Sequence, residues 1–177
     1  YHNQMTAIYA LAKEKDDEQI RKITQNYLEL QGDAEYYFDT NHAVVNVILN
    51  ERYYLALEKG IVLSYKFNDL SQIPLNEVDI SILLSNLIDN AIEAAEQTKD
   101  KWMSVDIYYE KGMLSMEIKN SFQHELAVEK NKLLSTKEEK GHGIGLANVR
   151  KMVEKYQGFM DVSNTNQIFT VRVMLYL

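Results

Sequence analysis

The most regular hydrophobic pattern in the chain lies between residues 83 and 95. Apolar residues recur there every three or four positions, which predicts a helix with one broad apolar face, formed by Leu83, Leu84, Leu87, Ile88, Ala91, Ala94 and Ala95. Asn86 and Asn90 lie one turn apart on the polar side, and Asp89 flanks them. Asparagine is a poor helix former because its amide competes for backbone partners, so the pair suggests a function for the two side-chain oxygens. A solvated helix face with incidental asparagines is the alternative explanation.

Hydrophobic patterns before and after this helix predict further helices and strands. Helical patterns cover residues 42–59 and 147–157, with capping residues at 39–41 and with Gly60 at the end of the first helix. Strand patterns cover residues 61–67, 103–109, 113–119, 159–163 and 168–175, and Lys111-Gly112 predicts a hairpin turn. With the central helix at 76–96, this order predicts an α+β fold in which helices pack on one face of a mixed, largely antiparallel sheet.

Residues 1–40 have a separate pattern of two short amphipathic helices. Apolar residues mark one side of each helix, and the charged turn between them is short, so the helices should form an antiparallel hairpin. A hairpin of this size buries too little apolar surface to be stable alone. Each apolar stripe therefore needs a partner, which is either the main domain or a second copy of the chain.

Composition narrows the class of protein. The 177 residues are 46% hydrophobic, which predicts one medium globular domain, or one domain with a small appendage. The net charge of −7 argues against non-specific binding of nucleic acid. The chain contains no cysteine, which excludes disulfides and thiolate metal sites. It also contains no apolar run long enough for a transmembrane helix.

A glycine-rich segment, GHGIGL at residues 141–146, opens directly into a predicted helix. Gly141, Gly143 and Gly145 alternate there, and the lack of Cβ atoms lets backbone N–H groups approach an anion closely. The start of the following helix adds unpaired N–H donors and the positive end of the helix dipole. The segment is not a P-loop, because no Gly-Lys-Ser/Thr follows, and it is not the dinucleotide fingerprint, because no strand precedes it. We interpret it as a phosphate-binding loop, preceded by a polar segment that could serve as a mobile lid.

Three motifs in this order resemble those of the ATP-binding domain of the GHKL superfamily, which includes gyrase, Hsp90, MutL and sensor histidine kinases. LSNLIDNAIEAA resembles its N box, IKNSF stands in the place of its first glycine box, and GHGIGLANV resembles its second. The resemblance covers residues 41–177. It implies a two-layer α/β sandwich of the GHKL (Bergerat) type with a mixed sheet, and it implies ATP and Mg²⁺ as ligands.

The resemblance also implies individual roles. Asn90 would coordinate Mg²⁺ through its amide oxygen, and Asn86 stands where ATP-hydrolysing relatives carry a glutamate general base. An amide cannot take a proton from water, so Asn86 favours a kinase over an ATPase. Lys137 and His142 are candidate phosphate contacts with a catalytic role. The full implied nucleotide site is Asn86, Asp89, Asn90, Asn120, Ser121, Lys137, Gly141, His142, Gly143, Ile144, Gly145 and Leu146.

Within the superfamily, the details resemble the peptide-responsive quorum-sensing and LytTR-associated sensor kinases. In that branch an Asn-Ser sequence, here Asn120-Ser121, replaces the usual adenine-reading aspartate and its glycines. Glu93 departs from the general pattern, because many kinases carry a cation at that position. The Tyr1-His2-Asn3 sequence resembles the end of the phosphoacceptor motif, so the phosphorylated histidine is expected just before Tyr1, and His2 is a weak candidate for it.

This resemblance predicts the cytoplasmic part of a membrane-anchored two-component histidine kinase. Residues 1–40 would form a truncated dimerisation and phosphotransfer hairpin, and residues 41–177 the catalytic domain. The expected partners are a second copy of the chain, a response regulator of the LytTR type and an upstream membrane sensor domain, with no nucleic acid.

Three other functions remain open from the sequence. The first is a non-catalytic phosphotransfer or scaffold protein with a relic nucleotide pocket. The retained asparagines and glycines argue against it, since a scaffold does not need them. The others are a GHKL ATPase, which Asn86 disfavours, and a serine kinase of the anti-sigma type, which lacks the hairpin.

Overall fold

The computed structural model describes residues 38–123 and 144–177. The predicted hairpin of residues 1–37 and the segment from residue 124 to Gly143 lie outside this part of the chain. The described elements are α1 (Ala43–Glu58), β1 (Val62–Phe67), α2 (Glu77–Glu96), β2 (Trp102–Glu110), β3 (Met113–Ser121), α3 (Ile144–Lys155), β4 (Phe159–Thr165) and β5 (Ile168–Tyr176). This order confirms the predicted α+β arrangement.

The five strands form one mixed sheet in the order β1-β2-β3-β5-β4. The β1 and β2 strands run parallel, with Val62 opposite Trp102, and every other neighbouring pair is antiparallel. A parallel pair needs a crossover connection, and α2 supplies it between β1 and β2. The topology therefore fixes α2 against the sheet.

The helices bury one face of the sheet. Inward-facing residues of β2, β3 and β5, such as Val105, Leu114 and Val173, join the apolar face of α2 in a single core. The predicted face of α2 is buried except for Ala94, which is half-buried, and Ile80 and Ile92 extend it. None of the described helices is long and apolar enough to cross a membrane.

The helices begin and end at capping residues of the sequence, but the cap of α1 is displaced from its predicted position. The α2 helix begins one residue after its predicted start, and Asn76 caps it, because its side-chain oxygen accepts a hydrogen bond from the Asp79 N–H at 2.8 Å. The predicted cap of α1 at residues 39–41 is wrong, because His42 is the capping residue. The Asn46 side chain instead accepts hydrogen bonds from the backbone and hydroxyl of Thr40, which holds the preceding segment in a turn. Gly60 ends the helix region with a φ of 69°, which agrees with its predicted role.

Two tight turns join the antiparallel strands. Lys111 and Gly112 have φ values of 52° and 77°, and Asn166 and Gln167 have φ values of 53° and 62°. Two consecutive positive φ angles are typical of the type I′ turn, which matches the twist of a hairpin. The first turn confirms the predicted hairpin. The second is shorter than the four residues, 164–167, left between the two predicted strands, because β4 continues to Thr165.

Candidate functional site

The polar stripe of α2 is longer than the sequence pattern suggested. At 3.6 residues per turn, positions 86 and 90 both lie within about 20° of position 79 around the helix axis. Asp79, Asn86 and Asn90 therefore share one side of α2, and α3 packs against that helix. Asp79 is not among the site residues predicted from the sequence, although its spacing of seven residues from Asn86 indicates the same side of the helix.

The two predicted motifs meet at Asn90 and Gly145. A Cβ atom added at Gly145 would lie 2.7 Å from Nδ2 and 3.0 Å from Oδ1 of Asn90. Real Cβ atoms do not approach other atoms so closely, so the asparagine side chain packs directly on the glycine backbone. The N-box asparagine and the first turn of α3 thus form one surface.

Asn90 carries an unsatisfied polar atom at this contact. Its Nδ2 is buried and has no hydrogen-bond partner within the described residues. Leaving a buried donor unpaired typically costs about 1–3 kcal/mol, so such atoms in native proteins call for an explanation such as a ligand. The first turn of α3 lies beside it, and the first backbone N–H groups of a helix have no partner within the helix itself. These groups can hold an anion, and the amide oxygen of Asn90 is a suitable ligand for a hard cation.

The Asn86 side chain is fixed on its own helix. Its Nδ2 donates a hydrogen bond of 2.7 Å to the carbonyl oxygen of Ile82, one turn earlier. This bond orients the side chain, which is half-buried. This bond uses one of the two N–H groups of the amide, and the amide oxygen can be offered to a ligand as an acceptor without basic character.

Asp89 pairs with an arginine of α1. Arg52 donates two hydrogen bonds to its carboxylate, at 3.1 Å from Nε and 3.2 Å from Nη2, and Arg52 also contacts Glu51. Burial opposes the charge on Arg52, but the bonds and charge of Asp89 outweigh it and raise the pKa of the guanidinium. The structure therefore shows Asp89 tying α2 to α1 through a bidentate ion pair.

Asn120 and Ser121 end β3 in a buried setting. Asn120 shares the inward face with Ile118, and its Nδ2 donates to the carbonyl oxygen of Ser121 at 2.8 Å. The Ser121 hydroxyl lies 2.8 Å from the Thr98 hydroxyl and accepts from the Trp102 N–H at 3.2 Å. These bonds tie the loop after α2 to the sheet, and Ser121 also lines an open depression of about 300 Å³.

The structure describes only some of the remaining predicted site residues. Lys137, Gly141, His142 and Gly143 lie outside the described residues. The α3 helix begins at Ile144, and Leu146 packs against the hydrophobic core. The structure thus joins Asn90 with Gly145 and leaves the role of the preceding loop as a prediction. Within residues 38–123 and 144–177, no group of three or more His, Asp or Glu side chains could hold a metal ion.

A second contact between α2 and α3 lies at their other ends. The buried Asp79 carboxylate accepts hydrogen bonds from Lys155 Nζ at 2.6 Å, from the Tyr156 hydroxyl and from Asn76 Nδ2 at 2.7 Å. The bonds from Lys155 and Tyr156 hold the pKa of Asp79 below its usual value. The same carboxylate raises the pKa values of Lys155 and Tyr156.

Comparison with known proteins identifies the class of this domain. A family model described as the GHKL domain matches residues 75–176, more than half of the chain, so the chain belongs to the GHKL family. No curated protein is similar enough in sequence to be matched.

Solved histidine kinase structures share the fold. The nucleotide-free catalytic domain of histidine kinase ThkA matches at 21% identity, with 74% of this chain and 92% of that chain covered and a TM-score of 0.56. Histidine kinase AdeS of Acinetobacter baumannii matches at 16% identity, with 97% and 81% covered and a TM-score of 0.57. Full-length ShkA in complex with AMPPNP matches at 16% identity, with 78% and 30% covered and a TM-score of 0.54. These likenesses confirm the predicted GHKL-type fold.

Proposed function

We propose that this chain is the ATP-binding catalytic part of a two-component sensor histidine kinase. It would bind ATP with Mg²⁺ and transfer the γ-phosphoryl group to a histidine, from which a response-regulator aspartate receives it. The observation that carries this proposal is the packing of Asn90 on Gly145, since it joins the N box to the second glycine box. The AMPPNP complex of ShkA, which shares the fold, supports nucleotide as the ligand.

The residues at this contact fit a magnesium nucleotide. The oxygen of Asn90 is a hard ligand, and Mg²⁺ typically takes only one or two protein ligands beside phosphates and waters. When bound, the ion neutralises charge on the phosphate oxygens. The backbone at the start of α3 would hold the phosphates, and Asn86 would contribute an acceptor that cannot deprotonate water. Asp89, fixed by Arg52, would orient the turn of α2 between the two asparagines.

The finer assignments follow the sequence motifs. We assign the chain to the peptide-responsive, LytTR-associated branch because Asn120-Ser121 stands in place of the usual adenine-reading motif. Residues 1–40 would supply the dimerisation hairpin, and residues 41–177 the catalytic domain. A membrane-anchored sensor upstream and a LytTR-type response regulator would complete the pathway, with the domain on the cytoplasmic side.

Thermal unfolding with nucleotide tests the proposal. ATP at about 100 times its dissociation constant should stabilise the chain by roughly 2.7 kcal/mol, and omission of Mg²⁺ should reduce the shift. Asn90→Ala should lose the Mg²⁺-dependent part. The exposed Asn164→Ala on the edge strand β4 is the matched control and should behave as the parent chain does. No shift at millimolar ATP in the parent chain would refute nucleotide binding.

Release of inorganic phosphate separates a kinase from a GHKL ATPase. Because Asn86 cannot act as a general base, the chain should bind ATP without steady hydrolysis. Asn86→Glu places a carboxylate in the same position and should raise phosphate release above that of the parent chain. Steady hydrolysis by the parent chain would favour the ATPase instead.

A further inference from the structure

The α2 and α3 helices are fastened to each other at two places, and only one of them belongs to the proposed nucleotide site. Asn90 meets Gly145 at the start of α3, and Asp79 near the start of α2 meets Lys155 at the end of α3. The helices therefore run antiparallel. Each contact joins an early residue of one helix to a late or middle residue of the other.

The two contacts have nearly the same spacing on the two helices. Asp79 and Asn90 are eleven residues apart, and Gly145 and Lys155 are ten residues apart. At a rise of about 1.5 Å per residue, the spacing is about 16.5 Å on α2 and about 15 Å on α3, so the two contacts define a single register of α3 on α2. Sliding α3 by one residue would break the far contact and would also remove Gly145 from Asn90.

The far contact is a compact polar cluster. Asp79 Oδ2 alone accepts bonds from Lys155, Tyr156 and Asn76, and the Asp79 side chain is 7% exposed. An anion at the start of α2 and a cation at the end of α3 also suit the two helix dipoles. Asn76 Oδ1 in turn accepts the Asp79 N–H, so this cluster also caps α2.

We propose that Asp79, with Lys155 and Tyr156, is a positioning cluster for nucleotide binding: it sets the register of α3 so that the backbone near Gly145 faces the phosphates beside Asn90. This inference rests on the proposed function, since it names a residue set that acts on that site from about 16 Å away. A helix transmits displacement along its axis, because its hydrogen bonds hold each residue at a fixed rise. The contact at Gly145 is close enough to respond to such a displacement, since a Cβ added there would lie 2.7 Å from Nδ2 of Asn90.

The test uses a variant that leaves the cap of α2 intact. Lys155→Met combined with Tyr156→Phe removes the bonds to Asp79 from the last residue of α3 and from the residue after it, but keeps the side-chain lengths and the Asn76 cap. The matched control is Lys59→Met, which removes another 2.6 Å lysine–carboxylate pair to α2, with Glu96, and touches α1 instead of α3. Asp79→Asn serves as a second variant. Unlike the double variant, it also changes the side chain that accepts the bond from Asn76 in the cap of α2.

Affinities for Mg²⁺-ATP and for adenosine are measured by calorimetry well below the unfolding temperature. The double variant should bind ATP roughly 2- to 30-fold more weakly, the usual range for residues that couple distant sites. Adenosine, which has no phosphate, should bind it and the parent chain equally well, and Lys59→Met should leave both affinities unchanged. Unchanged ATP affinity, or an equal loss for adenosine, would overturn the inference.

NMR of the free protein provides a readout that does not depend on nucleotide binding. The side-chain NH₂ signal of Asn90, assigned by its absence in Asn90→Ala, and the amide signal of Gly145 should shift in the double variant and not in Lys59→Met. Unshifted signals would refute the coupling of the two contacts. If the parent chain fails to bind ATP while these signals do shift, the coupling stands and the proposed function fails.

Discussion

The Asn90 side chain occupies the space in which any other residue at position 145 would place its Cβ. Glycine is the poorest helix former after proline, so its presence in the first turn of α3 carries a cost in the free energy of folding. The close approach of Asn90 explains why that cost is retained. At this scale the site is a contact between one amide side chain and one stretch of bare backbone.

Gly145→Ala should therefore destabilise the chain despite the better helix propensity of alanine. An extra methyl in a packed contact typically costs about 1–3 kcal/mol. In an Asn90→Ala background the collision disappears, and the same substitution should be neutral or stabilising, by up to about 1 kcal/mol. Urea unfolding of the two single variants and the double variant measures this coupling. Equal effects of Gly145→Ala in both backgrounds would show that the two residues do not touch.

At the scale of the elements, each helix and strand is determined mainly by residues close together in the sequence. The site, in contrast, depends on how α2 packs against α3. The α2 helix keeps its predicted limits within one residue because Asn76 caps it and its apolar face is continuous. The β2–β3 turn also has a local origin, since Gly112 adopts a φ of 77° without strain. Lys111 is the less favourable half of that turn, because a lysine has no special stability at its φ of 52°.

Lys111→Asn should stabilise the β2–β3 hairpin. Asparagine tolerates a positive φ and forms the preferred Asn-Gly pair of a type I′ turn, so the gain should be about 0.5–1 kcal/mol. The ion pair of Lys111 with Glu110 is exposed, at 3.4 Å, and its loss should matter little. Lys111→Gln is the matched control, since it removes the same charge without favouring positive φ. Equal stability of the two variants would count against the turn argument.

The sequence predicts features that depend on neighbouring residues better than features that depend on packing between elements. The hydrophobic periodicity located α2 and the strands within one or two residues, because the buried face of an element is formed by apolar residues at regular positions in its own sequence. The cap of α1 was misplaced because several capping residues occur in a row, and only the packing of Asn46 on Thr40 selects among them. The Asp79 cluster could not be predicted, since its partners lie 76 and 77 residues away and their meeting depends on the register of two helices.

At the scale of the whole molecule, the face of the sheet opposite the helices carries charges in a row across all five strands. Its members, in strand order, are Lys66, Asp106, Glu117, Arg172 and Asp161. Arg172 pairs with Glu117 at 2.6 Å and with Asp161 at 3.4 Å. Ion pairs as exposed as these contribute little stability each, and the row makes this face of the sheet charged.

Carboxylates across the molecule should make its stability fall in acid. Asp39, Asp69 and Asp79 have pKa values held below 3.8 by hydrogen bonds. For Glu117, burial acts against the charge, but Lys119 and Arg172 outweigh it and lower the pKa. Each group favours folding above its unfolded pKa, and the contribution is lost as pH falls through the folded value. The free energy of unfolding should thus rise between about pH 3 and pH 5 and then level off.

Urea unfolding from pH 3 to pH 7 measures this profile. Asp79→Asn should lose stability mainly above about pH 4, so that its curve approaches that of the parent chain in acid. Asp106→Asn, on the outer face of the sheet, is a surface control and should shift the curve little. A parent chain equally stable at pH 3 and pH 6 would contradict the assignment of these carboxylates.

The parallel pairing of β1 with β2 has a consequence for the order of folding. The β2–β3 and β4–β5 hairpins close over two-residue turns, whereas β1 can pair only after the crossover that contains α2 has closed. Long loop closures are entropically costly and tend to come late, so the hairpins should form the nucleus and β1 should dock afterwards. Because α2 is that crossover, the surface that carries Asn86 and Asn90 would be completed only at the final stage. Kinetic φ-values near zero in β1 and high in the β2–β3 hairpin are the expected signature.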